Sequence, residues 1–216
     1  MEKNFVALGL MSGTSMDGID VALLETDGKN RVVFGPHQTY AYTNDAREIL
    51  THAMQVATIW SPDEQMPEAI KQAEELVTQT HLQAVASFVM SHSLDLNAID
   101  VIGFHGQTVL HAPDQRRTVQ IGDGQALADG LRLKVVDQFR LADVAAGGQG
   151  APLAPLYHAA LAHQSGFDLP LAVLNLGGVG NLTFIGGDGT VLGFDTGPGN
   201  ALLDDWMVAK SGRPFD

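Results

Sequence analysis

Apolar and polar residues alternate near both ends of the chain and give way to helical spacing between them. Residues 5–11 form a nearly unbroken apolar run, and residues 19–26 alternate with Ile19, Val21 and Leu23 on one face, so two strands are predicted. Val32-Val33-Phe34 begins a third strand after the turn Asp27-Gly28-Lys29-Asn30. A helix is predicted from about Asn44, whose side chain can cap it, with Ile49, Leu50, Ala53, Met54 and Ala57 on one face. A longer helix starts near Pro67, where Ile70, Ala73, Leu76, Val77, Val85, Phe88 and Val89 keep helical spacing. Residues 100–104 read as a buried strand that ends at His105-Gly106-Gln107. A short strand over 118–122, a helix from Gln125 and a strand over 134–136 follow. Gly147-Gly148-Gln149-Gly150 then leads into a helix that runs to about Ala162.

The C-terminal stretch repeats the opening order. Residues 171–176 form a strand, 177–181 a glycine-rich turn, 182–185 a returning strand, 186–189 a second turn and 191–194 a third strand, with a helix beginning near Asn200. Strand, hairpin, strand, turn, strand and helix therefore occur twice. Two such lobes would set their glycine hairpins across a cleft, where a ligand is expected. The division predicted is a first lobe over 1–168, with the first hairpin and a helical insertion, and the start of a second over 169–216. The second copy stops early, so the chain reads as a fragment of a longer protein.

Composition narrows the class. With 216 residues and 45% of them apolar, the chain can bury a substantial core. Its 25 acidic against 12 basic residues give a net charge of -13, which makes the chain a poor candidate for nonspecific nucleic-acid binding. No cysteine is present, which removes disulfides, thiolate metal sites and a cysteine nucleophile. The start lacks a basic region followed by a long apolar run, and no apolar stretch is long enough to span a membrane. A soluble, cytoplasmic α/β protein is the expectation.

Chemistry concentrates in the turns. Ser12-Gly13-Thr14-Ser15-Met16-Asp17-Gly18 joins the first two strands with glycines, hydroxyls and one carboxylate, whereas a plain hairpin needs two turn residues. Backbone N–H groups in such a loop can converge on phosphate oxygens, Thr14 and Ser15 add hydroxyls, and Asp17 can hold magnesium through water. The other reading is a wide, solvated hairpin. It is neither a Walker loop nor a nucleophile elbow. Asn175-Leu176-Gly177-Gly178-Val179-Gly180-Asn181 has the same logic without charge, and gains weight as the partner of the first hairpin. In Phe194-Asp195-Thr196-Gly197-Pro198-Gly199-Asn200, Asp195 sits at a strand end before a rigid turn. There it can take a proton from water or a hydroxyl, or simply cap the turn. His105, Gln107 and Thr108 follow a strand and can hydrogen-bond a substrate or serve as turn packing. Gln149 in its glycine-rich loop admits the same two readings. His105 and His111 lack a third metal ligand nearby, so the metal ligands stay unassigned.

Together, residues 9–20, 105–108, 147–152, 174–178 and 194–200 resemble the motifs of the bacterial anhydro-N-acetylmuramic acid kinases, in the same order and across the whole chain. The resemblance implies an α/β protein with two ribonuclease-H-like lobes of the hexokinase/actin-like fold, the second lobe truncated here. It implies conversion of 1,6-anhydro-N-acetylmuramic acid, ATP and water to N-acetylmuramic acid 6-phosphate and ADP, in cell-wall recycling. Gly13, Thr14, Ser15, Met16, Asp17, Gly18, Ile19 and Asp20 would hold the ATP phosphates with magnesium, with Gly177 and Gly178 in the second hairpin. Asp195 would be the base that activates water. Met11 and Ser12 stand where the wider fold usually has a strand-end Asp. The family's adenine-binding half-lobe would lie beyond residue 216, so the chain alone is expected to be inactive. A homodimer is also implied. The competing readings are a nucleotide phosphohydrolase of the same fold and a noncatalytic actin-like binding module.

Overall fold

The computed structural model describes residues 4–213 other than Pro62. It divides into two compact units, one up to Gly150 and one from Ala151, with Lys29–Arg31 grouped with the second. The division falls earlier than the 168/169 boundary expected, because the helix that follows Pro155 packs on the second sheet.

The first unit is built on one sheet. Strands β1 (Phe5–Ser12), β2 (Gly18–Thr26) and β3 (Val32–Ala41) form an antiparallel meander. On β1, Leu8, Leu10 and Ser12 point to the buried face while Gly9 and Met11 are exposed, the period of two that a half-covered strand requires. The sheet continues through β4 (Val101–Ala112), parallel to β1, and β5 (Arg117–Ile121), antiparallel to β4. The order β3-β2-β1-β4, with β1 and β4 parallel and β6 added parallel to β4, is that of a ribonuclease-H-like sheet, and β5 is an antiparallel addition to it. Strand β6 (Val135–Val136) pairs with the first part of β4.

Helices α1 (Asn44–Ala57) and α2 (Glu68–Ser91) pack on each other and on the sheet. Thr43 caps α1, its hydroxyl accepting from the Ala46 N–H, so Asn44 is the first helical residue and not the expected cap. Leu50 and Ala53 of α1 and Ile70, Ala73, Val77 and Phe88 of α2 meet Leu8, Leu10, Ile102 and Phe104 in one continuous core. Asp123 caps α3 (Gly124–Leu131). Helix α4 (Phe139–Ala145) was not expected from sequence spacing.

The second unit carries α5 (Pro155–Ser165), strands β7 (Leu171–Leu176), β8 (Val179–Ile185) and β9 (Val191–Pro198), and α6 (Ala201–Ser211). The three strands form an antiparallel meander in the order β7-β8-β9, which repeats β1-β2-β3. Pro155 lies so close to Gly193 of β9 that no Cβ would fit there, and His158 bonds the buried Thr183 hydroxyl at 2.8 Å.

Two expected strand ends are overturned. β4 runs on through His105-Gly106-Gln107 to Ala112, and β9 runs through Asp195-Thr196-Gly197 to Pro198. In both, a glycine with positive φ (Gly106 at 67°, Gly197 at 147°) absorbs an irregularity that an L-residue would resist. Glycine here permits a bulge and does not stop the strand.

Candidate functional site

The β1–β2 hairpin is held from beneath. Ser12 is fully buried, and its hydroxyl bonds both the Gln107 side-chain oxygen and, at 3.0 Å, the Tyr42 hydroxyl. The Gln107 amide donates to the Gly13 carbonyl at 3.1 Å and to that of Thr108 at 3.3 Å. Ser12, Gln107 and Tyr42 therefore form a neutral clip joining β1, β4 and the end of β3.

Above the clip, the Met16 N–H closes a turn on the Gly13 carbonyl at 3.1 Å, and Met16 takes a φ of 53°. The N–H groups of Thr14 and Ser15 take no partner among the described residues, and both residues are exposed. Asp17 Oδ1 accepts from the Ser15 hydroxyl at 2.7 Å and from the Gly18 N–H at 3.1 Å. Its Oδ2 takes no hydrogen bond among the described residues. Gly18 is required by space, since a Cβ would stand 2.6 Å from the Tyr40 carbonyl oxygen. Met16 packs against the core and Ile19 lies inside it, so those two meet a ligand only through backbone. Asp20 faces solvent and accepts from the Thr39 hydroxyl at 2.5 Å.

Two expected substrate contacts are spent elsewhere. Gln107 is fully buried in the clip, and the Thr108 hydroxyl, almost as buried, accepts from Gln120 at 3.3 Å. His105 is half-buried. Its Nδ1 donates to the Gly106 carbonyl at 2.7 Å, and its Nε2 is enclosed without a hydrogen bond. Burial lowers the His105 pKa, and the nearby Arg140 charge adds to this, while the Gly106 and Ser12 carbonyls oppose it. The ring is therefore neutral near pH 7. Gln149 is exposed in the loop after α4.

Sequence reasoning missed two arginines. Arg47 on α1 reaches the Asp17 carbonyl through Nη2 at 3.4 Å, and Arg140 on α4 influences His105. Neither stands in a recognisable motif.

In the second unit the Gly177-Gly178 turn is clamped from β9. The Asn200 and Gly199 N–H groups donate to the Gly177 and Gly178 carbonyls at 2.7 and 2.9 Å, and the Asn200 amide donates to the Leu176 carbonyl at 3.2 Å. The Thr196 hydroxyl donates to the Gly180 carbonyl at 3.0 Å. Asp195 pairs across the strands with Asn181 and is exposed. No cluster of three or more His, Asp or Glu suited to a metal is present among the described residues. Nor is any helix there long and apolar enough to cross a membrane.

Sheet order and hairpin define an α/β protein of the ribonuclease-H-like class with a loop whose free N–H groups suit an anion. The family model for anhydro-N-acetylmuramic acid kinase matches residues 5–216, and the chain belongs to that family. It is 53% identical over 210 residues to the anhydro-N-acetylmuramic acid kinase of Nitrobacter winogradskyi, covering 97% of this chain and 57% of that protein. It is 54% identical over 211 residues to the protein of the same name from Paramagnetospirillum magneticum, covering 98% and 56% respectively. The chain thus spans a little over half the length of these curated relatives.

Proposed function

We propose that the protein is an ATP-dependent kinase that opens 1,6-anhydro-N-acetylmuramic acid with water and phosphorylates it at O6, in cytoplasmic recycling of cell-wall sugars. What supports this reading is the family match over residues 5–216, joined to a hairpin with free N–H groups at Thr14 and Ser15.

Asp195 takes a proton from water as the water oxygen attacks the anomeric carbon. The C1–O6 bond breaks, and its electron pair leaves on O6. O6 then attacks the γ-phosphorus, the bond to the bridging oxygen breaks, and ADP departs. An exposed Asp195 suits the first step because its carboxylate is open to the water it would deprotonate. Its backbone is stiffened by the Thr196 bond to Gly180 and by the Gly199–Gly178 clamp.

The hairpin over 13–18 supplies phosphate contacts through the Thr14 and Ser15 N–H groups, and Gly177 and Gly178 supply a second turn of the same kind. The donor set fits magnesium held mostly by phosphate oxygens and water, as this ion prefers. Asp17 would hold it through Oδ2, since Oδ1 is occupied by Ser15 and Gly18. Bound there, magnesium neutralises charge on the transferred group. Among the substrate-binding candidates, His105 and Gln149 remain available for the sugar. The working unit is a homodimer in this reading.

The test is the stoichiometry of ADP and sugar 6-phosphate made by the full-length gene product from the anhydro sugar. One ADP per sugar phosphate, and none without sugar, is expected. ADP released equally without sugar would make the protein a phosphohydrolase.

A further inference from the structure

Two backbone carbonyls hold the shape of the β1–β2 hairpin. That of Gly13 accepts from the Met16 N–H and from the Gln107 amide, both at 3.1 Å. That of Asp17 accepts from the Tyr42 N–H at 3.1 Å and from Arg47 Nη2 at 3.4 Å. Arg47 reaches it from α1, a separate element.

The turn between these carbonyls does not hold itself. Met16 has a φ of 53°, a left-handed conformation that a residue other than glycine keeps only where its surroundings impose it. Helix α1 imposes it from two positions one turn apart on the same face. The Thr51 hydroxyl donates to the Met16 sulfur at 3.8 Å, and Arg47, four residues earlier, donates to the Asp17 carbonyl. Arg47 Nε is enclosed without a hydrogen bond, so the side chain lies packed against the protein with Nη2 at the loop. An enclosed donor without a partner is destabilising, so stability alone does not account for an arginine at this position.

The bond also acts through the Asp17–Gly18 peptide. Its carbonyl is held by Tyr42 and Arg47, and its N–H donates to Asp17 Oδ1 at 3.1 Å, where the Ser15 hydroxyl bonds as well at 2.7 Å. With both carbonyls engaged, the N–H groups of Thr14 and Ser15 are left for an anion. A loop already held in its binding shape spares the ligand the cost of ordering it.

Resting on the sugar-kinase reading above, we propose that Arg47 is a positioning residue for the nucleotide: from α1 it holds the Asp17 carbonyl so that the Thr14 and Ser15 N–H groups are set for phosphate before ATP arrives. Arg47 acts through the hairpin and not on the phosphate itself.

The experiment uses the full-length gene product as wild type, Arg47→Met, which keeps an unbranched chain and removes the donor, and Arg47→Lys. Calorimetric binding of a non-hydrolysable ATP analogue, amide hydrogen exchange over residues 13–18 without nucleotide, and thermal melting are compared. Affinity for the analogue should fall by ~3- to 10-fold in Arg47→Met, the size of one partly solvated hydrogen bond to a charged group, with Arg47→Lys between. The Met16 and Gly18 amides should exchange several-fold faster, as a loosened local unit does, while the melting temperature and the KM for the sugar hold. Unchanged affinity overturns the proposal, and with a lowered melting temperature it would assign Arg47 to stability. A loss of affinity with unchanged exchange also overturns it, by making Arg47 a direct phosphate contact. Should Arg47→Met fail to fold, Arg47→Lys decides: the inference requires weaker binding and faster exchange. A wild type that binds the analogue, and loses it as expected in Arg47→Met, but makes no sugar phosphate would overturn the kinase reading alone. One that does not bind the analogue overturns both.

Discussion

The amide of Gln107, fully buried on β4, donates to the backbone carbonyl of Gly13 on the β1–β2 hairpin at 3.1 Å. The other end of the same amide bonds Ser12, so one side chain sets both the end of β1 and the first turn of the loop. Replacing Gln107 by Leu leaves the Ser12 hydroxyl and the Gly13 carbonyl short of partners. Each buried polar group so orphaned costs about 1–3 kcal/mol. Urea unfolding should show that loss, and the KM for ATP should rise more than the KM for sugar. Equal effects on both would assign Gln107 to general stability.

Gly18 has no room for a side chain. A Cβ there would press on the Tyr40 carbonyl oxygen at 2.6 Å, and rigid backbone forms that contact. Gly18→Ala should destabilise the first unit by about 1–3 kcal/mol, the range for overpacking. A melting temperature equal to that of the wild type would show that β3 yields without cost.

His81 predicts a pH dependence. It is fully buried on α2, its Nδ1 2.7 Å from the Val77 carbonyl, its Nε2 without a partner and its ring edge-on to Phe104 at 5.0 Å. Burial lowers its pKa from 6.5 to about 4, with His105 adding a smaller effect in the same direction and the Val77 bond opposing both. The unfolded chain therefore binds a proton between those values that the folded chain refuses. The stabilisation is full above pH 6.5, falls as pH drops through that window, and is gone near 4. The whole effect is about 3 kcal/mol. Denaturation midpoints of the wild type should fall from pH 7 to pH 5, and His81→Leu should flatten the decline. An equal decline in the variant would move the cause elsewhere.

Much of this was legible in the sequence where side chains alternate or recur cleanly. The meander over β1–β3, its repeat over β7–β9 and the apolar stripe of α2 all follow from period alone. What period could not show is polar burial. Thr78 and His81 sit in the same α2 stripe as Val77 and Val85, because Thr78 bonds the Glu74 carbonyl and the Asp123 N–H and His81 bonds Val77. Gly106 and Gly197 read as breakers because composition cannot distinguish a turn glycine from a bulge glycine. Gln107 and Thr108 looked like substrate contacts for a related reason. Their polarity was visible, but the partners that absorb it, Ser12, Gly13 and Gln120, lie on other strands or loops.

Asp195 carries the central claim, and its removal tests it most directly. ADP release should be measured for the full-length gene product and its Asp195→Asn variant, with and without 1,6-anhydro-N-acetylmuramic acid. Sugar-dependent release is predicted in the wild type, with a loss of ~1,000-fold or more in the variant, of the size expected when a group acting at the transition state is removed. A folded variant that releases ADP at the wild-type rate would contradict the assignment of Asp195 as the base.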